Sequence, residues 1–141
     1  MEEVTLGRAH HRVSFGILGK EFPAELDNDD AQWLRVNVDV IVGGMRASIR
    51  EATLTIGELT SFLEDLERLV AGSKHIARLD SMEEWIELVL DMNSRGGLEV
   101  RGRVLDAPGM GNALEFTLED LDQTYLPPLV DELRAALSPY L

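Results

Sequence analysis

The side chains best suited to chemistry are three histidines and a run of aspartates. His10 and His11 are adjacent, and neighbours on a strand point to opposite faces, so the two are badly placed to chelate one metal ion. His75 has no ligand motif around it. Asp27, Asp29 and Asp30 offer the hard carboxylate oxygens that calcium takes, but an EF-hand counted from Asp27 needs Gly at its sixth position and a bidentate Glu at its twelfth. The sequence has Gln32 and Val38 there, so the segment reads as a solvated acidic loop. No G-x-S-x-G or S-x-x-K framework supplies a nucleophile with its base. Gly43-Gly44 and Pro108-Gly109-Met110-Gly111 lie outside any P-loop or G-x-G-x-x-G unit and read as turns. The chain has no cysteine, which removes thiolate nucleophiles, disulfides and Cys-based zinc sites. With 26 acidic residues, two carboxylates lying near one another carry no specificity for glycoside chemistry. These patterns imply a protein that is not an enzyme and uses no cofactor.

Charge directs attention to binding instead. The 141 residues include 13 Lys+Arg against 26 Asp+Glu, a formal net charge of −13. Such a field repels phosphates and anionic lipid, so neither nucleic acid nor membrane is the expected partner, and a cationic protein surface is its complement. Arg95, Arg101 and Arg103 form the one concentrated basic stretch. It lacks the interleaved aromatics of a stacking platform, and cross-strand pairing with Glu87 or Glu115 is its expected use. Trp33 and Trp85 are assigned to the core ahead of an interface. The N-terminus Met1-Glu2-Glu3-Val4 is acidic and leads into no apolar signal region, so a cytoplasmic location is expected.

The elements that position these residues follow from periodicity. Val4 to Gly19 reads as one strand, with Val13, Phe15 and Ile17 alternating against Arg12, Ser14 and Gly16. From Trp33 to Val42, Leu34, Val36, Val38 and Val40 alternate with Arg35, Asn37 and Asp39. Gly43-Gly44 then suits a tight hairpin turn into Met45 to Leu54, in which Arg50-Glu51-Ala52 disturbs the alternation as a bulge does. Thr55 and Glu58 have capping-box spacing. A helix follows on Ile56, Leu59, Phe62, Leu63, Leu66, Leu69 and Val70, with Gly72 as its left-handed cap and Glu64 spaced to pair with Arg68. Ser81 to Met92 fits either period and is assigned as a strand, because the turn residues Asn93 to Gly97 lead into the alternation of Leu98, Val100 and Val104. Asp106 to Asn112 turns the chain into Leu114, Phe116 and Leu118. Leu126, Leu129, Val130, Leu133 and Leu137 form a second amphipathic helix, with Thr124 able to cap it and Pro127 and Pro128 in its first turn.

The sequence therefore predicts one α+β domain over residues 1–141, without internal repeats. Its expected architecture is a single antiparallel sheet of about five to six strands with two amphipathic helices packed on one face. The expected partner-binding residues are Asp27, Asp29 and Asp30 of the acidic loop and Glu58, Glu64, Asp65 and Glu67 of the first helix.

The run Ile17-Leu18-Gly19-Lys20-Glu21-Phe22-Pro23, the acidic gap through Asp29-Asp30, and Trp33-Leu34-Arg35-Val36 resemble the opening of the WapI-type immunity proteins and their bacterial relatives. The likeness continues through Leu54-Thr55, the Leu59, Phe62, Leu63, Leu66 helix pattern and Tyr125-Leu126-Pro127. It implies a small cytosolic protein that binds and neutralises the toxic C-terminal domain of a polymorphic toxin, often a nuclease, and it brings no active-site residues. The alternative is a bacterial domain that forms a homodimer or serves another protein, with no toxin-related role.

Overall fold

A computed structural model describes residues 2–141. Eight strands and two α-helices follow one another in a repeated order. Strands β1 (Glu3–Arg8), β2 (His11–Lys20), β3 (Trp33–Val42) and β4 (Met45–Thr55) lead into α1 (Ile56–Ala71). Strands β5 (Ile76–Asp80), β6 (Ile86–Met92), β7 (Gly97–Leu105) and β8 (Ala113–Asp122) lead into α2 (Leu126–Leu137). Each set of four strands is its own antiparallel meander, β1-β2-β3-β4 and β5-β6-β7-β8. The expected single sheet of five to six strands is thus two sheets of four, and the expected lack of repetition gives way to two β4α units.

Two strands escaped the sequence pattern. Val4 to Gly19 is two strands joined through Ala9 and His10, residues with no turn signature, and the fold is allowed by Gly7 at φ +115°. A Cβ at Gly7 would stand 2.2 Å from the His11 carbonyl oxygen, so only glycine fits. Strand β5 is just five residues long, too short for alternation to announce it. Ser81 to Trp85 is a loop, and the predicted strand occupies only Ile86–Met92.

Other features appear as expected. The β3–β4 hairpin turns at Gly43-Gly44, and α1 opens on the capping box of Thr55 and Glu58 and closes on Gly72 at φ +77°. The bulge falls where the pattern broke: Arg50 and Glu51 oppose Asn37, with Glu51 at φ +56°. The second unit carries the same device, since Glu119 and Asp120 oppose Glu99, with Asp120 at φ +61°. Asp122, not Thr124, is the cap before α2, its carboxylate accepting from the Thr124 N–H.

The helices are exchanged between units. Helix α1 packs chiefly on β5 and α2, while α2 packs on β1, so one core is shared. It contains Phe15, Leu34, Val36, Leu54, Phe62 and Leu66 from the first unit and Leu79, Leu88, Leu118, Leu129 and Leu133 from the second. The same kind of bond seals the first strand of each sheet. Glu132 Oε1 on α2 accepts from the Thr5 N–H at 2.9 Å, and Asp65 Oδ2 on α1 accepts from the Arg78 N–H at 3.2 Å. Each carboxylate occupies an edge amide that would otherwise be open to another strand.

Candidate functional site

Three segments meet at one end of the first sheet. Pairing of Trp33 with Thr55 brings the β2–β3 loop to the start of α1. The β5–β6 loop is tied to the same place, because Glu58 Oε2 accepts from the Met82 N–H, and the Thr53 hydroxyl donates to Glu83 Oε2 at 2.9 Å. The Trp85 indole N–H donates to that same Glu83 oxygen at 3.2 Å, so both sides of the loop are held.

The β2–β3 loop is open to solvent yet built. Asn28 caps a short 3-10 turn, Asp29–Gln32, by accepting from the Ala31 N–H, and its amide donates to Glu25 Oε2 at 2.7 Å. Ala31 is buried and anchors the turn. Asp27, Asp29 and Asp30 are exposed, and among the described residues no Lys, Arg or His forms a salt bridge with them. Beside them Phe22 is 43% and Leu26 77% exposed, and Met82 on the neighbouring loop is 76% exposed. Apolar side chains rimmed by unpaired carboxylates have the make-up of a protein interface, an apolar centre within a polar border.

The helix acids fare differently. Glu58 is spent on the Thr55 N–H and on Met82. Asp65 accepts from Lys74 Nζ at 2.8 Å and lies 3.8 Å from the Arg68 guanidinium, so Arg68 pairs with Asp65 in place of the expected Glu64. Burial works to raise the Asp65 pKa, but the Lys74 and Arg78 hydrogen bonds and the cations beside it outweigh burial and hold the carboxyl below its ordinary value. Glu67 faces Arg134 of α2 at 3.6 Å. Only Glu64 is exposed without a charged or hydrogen-bonded partner among the described residues. Of the four helix carboxylates, Glu58 lies at the start of α1 and holds the β5–β6 loop, while Asp65 and Glu67 are engaged by Lys74 and Arg134. Sequence reasoning passed over Phe22 and Leu26, although their spacing around Glu25 ahead of Asp27 was a readable signal. Glu83 joins the site through its tertiary bond from Thr53.

His10 sits in the β1–β2 turn and His11 begins β2. Among the described residues no group of three or more His, Asp or Glu converges to hold a metal ion, and no helix is long and apolar enough to cross a membrane. Arg103 does pair with Glu115, at 3.6 Å, as the cross-strand reading expected, while Arg101 lies 3.6 Å from Glu99 on its own strand. Both tryptophans are partly buried, and Trp85 packs against the core.

The model of the Immunity protein WapI-like family matches residues 5–141. The chain belongs to this WapI-like family. The match takes in both β4α units and both loops of the candidate surface. No curated protein matches the chain. A solved structure, titled as the MRP1/MRP2 proteins of Trypanosoma bruciei, is similar over 97% of this chain and 83% of that one, at 14% identity and a TM-score of 0.48.

Proposed function

We propose that this WapI-like chain is a non-catalytic immunity protein that acts in the cytoplasm by binding the cationic face of a cognate toxin domain. The observation that carries the reading is the β2–β3 loop, where Asp27, Asp29 and Asp30 stand unpaired beside exposed Phe22 and Leu26. Carboxylates with no salt-bridge partner among the described residues can be given to another protein without breaking an ion pair at home. Surfaces that act on nucleic acid are basic, so an acidic inhibitor is steered onto them and occludes them. Phe22 and Leu26 supply the apolar contact that charge alone does not. Glu64 extends the acidic surface, whereas Glu58, Asp65 and Glu67 contribute through the architecture of α1.

The test is co-expression with any toxin domain found encoded beside this chain's gene. The unaltered chain should restore growth, and Asp27→Lys/Asp29→Lys/Asp30→Lys should abolish protection while its circular dichroism spectrum stays unchanged. Full protection by the triple variant would remove the loop from the proposal, and failure of the unaltered chain to protect would remove the toxin reading. The association rate with that toxin domain should also fall steeply between low and physiological salt.

A further inference from the structure

The outer faces of the two sheets occupy equivalent places in the repeat and carry opposite charge. Counting from the two bulges aligns Asn37 with Glu99 on the third strands, and cross-strand register extends the alignment to the others. One outward row of the first sheet reads Gly7, Arg12, Ile41, Arg46. Its counterpart in the second sheet reads Asp80, Glu87, Arg103, Glu115. One row further, Asp39 stands where Arg101 stands, and at the bulges beyond it Arg50 stands where Glu119 stands. At four of the five outward positions that are charged in both units the sign is reversed; the fifth, Glu51 and Asp120, is acidic in both.

This polarity runs against the composition. In a chain of net charge −13, neither Val4 to Lys20 nor Val40 to Arg50 contains a single acidic residue. Arg12 and Arg46 form no ion pair among the described residues, and neither do Asp80 and Glu87. Arg12 and Arg46 in acid-free sequence on one face, and Asp80 and Glu87 without ion pairs on the other, are complementary surfaces on one molecule, while Glu115, the counterpart of Arg46, pairs with Arg103. The second sheet is also shaped to receive something. An open trough of about 450 Å³ crosses its outer face between Glu87, Val89, Arg101, Arg103, Glu115 and Thr117. The first sheet presents half-buried Ile41 between its two arginines, with Met45 59% exposed beside them.

We propose that the outer face of the first sheet docks on the outer face of the second sheet in another copy of this chain. The Arg12, Ile41, Arg46 row meets the Asp80, Glu87 row and the trough. Because the two surfaces differ, the contact is heterologous and builds rings or short open assemblies rather than a two-fold dimer. The overall negative charge opposes association, so the contact forms best at physiological salt, where repulsion between distant charges is screened over about 8 Å while the apposed rows still touch. This surface lies apart from the toxin-facing loop, and the proposal stands or falls independently of the immunity reading.

The experiment is sedimentation velocity at physiological salt, from about 10 μM to about 1 mM, the upper bound being a weak but specific Kd. The unaltered chain should show a weight-average mass that rises with concentration. Arg12→Glu/Arg46→Glu and Asp80→Lys/Glu87→Lys should each sediment as monomers across the range. An equimolar mixture of the two variants should associate, because each supplies the row that the other lacks. The chain carrying all four changes should associate with itself, because its rows are exchanged in sign. Circular dichroism establishes that each variant is folded, and Arg12→Gln/Arg46→Gln serves in place of a reversal that fails to fold. A monomeric unaltered chain at about 1 mM, a single-face variant that associates like the unaltered chain, or a mixture that stays monomeric would each overturn the proposal.

Discussion

The two β4α units solve the same problems with different residues. Where the first sheet pairs Val40 with Ala47, the second pairs Gly102 with Phe116 at the equivalent place. The inward volume is conserved while its distribution is reversed. The Phe116 ring lies over Gly102 so closely that a Cβ there would stand 2.2 Å from it. The edge seals differ in the same way: Asp65 is braced by Lys74 and Arg68, while among the described residues no cation lies within salt-bridge distance of Glu132. Equivalent positions need not hold equivalent residues, provided that each pair or bond is completed locally.

Exchanging these solutions should expose how local they are. Phe116→Ala should cost the most, about 3–5 kcal/mol of unfolding free energy, because it empties a buried ring site and uncovers Gly102. Gly102→Val alone should cost about 1–3 kcal/mol through overpacking. Gly102→Val/Phe116→Ala imports the first unit's pair and should be more stable than Phe116→Ala in urea titrations. If the double variant is as unstable as the sum of the single ones, the two sheets are not interchangeable at this site.

The edge seals rank second. Asp65→Ala and Glu132→Ala should each cost about 0.5–1.5 kcal/mol, since each removes the acceptor of an edge amide that is exposed or only partly buried. Asp65 should be the costlier of the two because Lys74 also loses its partner. The pH dependence has a definite sign. The Asp65 pKa is lowered in the folded chain, so its contribution is present above the unfolded value near 3.9 and is lost as pH falls through the folded value. Urea midpoints of the unaltered chain should therefore drop below pH 4 more steeply than those of Asp65→Asn. Parallel acid profiles would show that the bond is not a stabilising one.

The smallest effects should come from the bulges. Glu51 and Asp120 hold left-handed conformations that L residues adopt at a cost. Asp120→Gly should raise stability by at most about 1 kcal/mol. Glu51→Gly should gain less, because it gives up the 3.0 Å pair with Arg35, whereas Asp120 gives up only a looser 3.8 Å pair with Arg8. Equal gains in thermal midpoint would mean that the Arg35 pair contributes no more than the Arg8 pair.

Local chemistry was readable from the sequence and the repeat was not. The Gly43-Gly44 turn, the Thr55 and Glu58 capping box and the bulge at Glu51 each depend on neighbours within a few residues, so type and spacing revealed them. Strand β5 and the β1–β2 turn left no such trace. The repeat was hidden because its equivalents differ in size, as Val40 and Gly102 do, or in charge, as Arg12 and Glu87 do. In the candidate surface, the exposed aspartate loop followed from its lack of apolar residues. That Asp65 and Glu67 are already engaged depends on Lys74 and Arg134, which only the fold brings to them.

The exchange of helices between units governs how the chain can come to be folded. The Thr5 amide waits for a carboxylate 127 residues away, and the first sheet stays uncovered on its β1 side until the last helix has been made. Each unit's helix packs on a strand of the other unit. A ribosome releasing this chain holds a sticky, unsealed sheet for most of synthesis, and the long loop closures still required make completion of the native core slow.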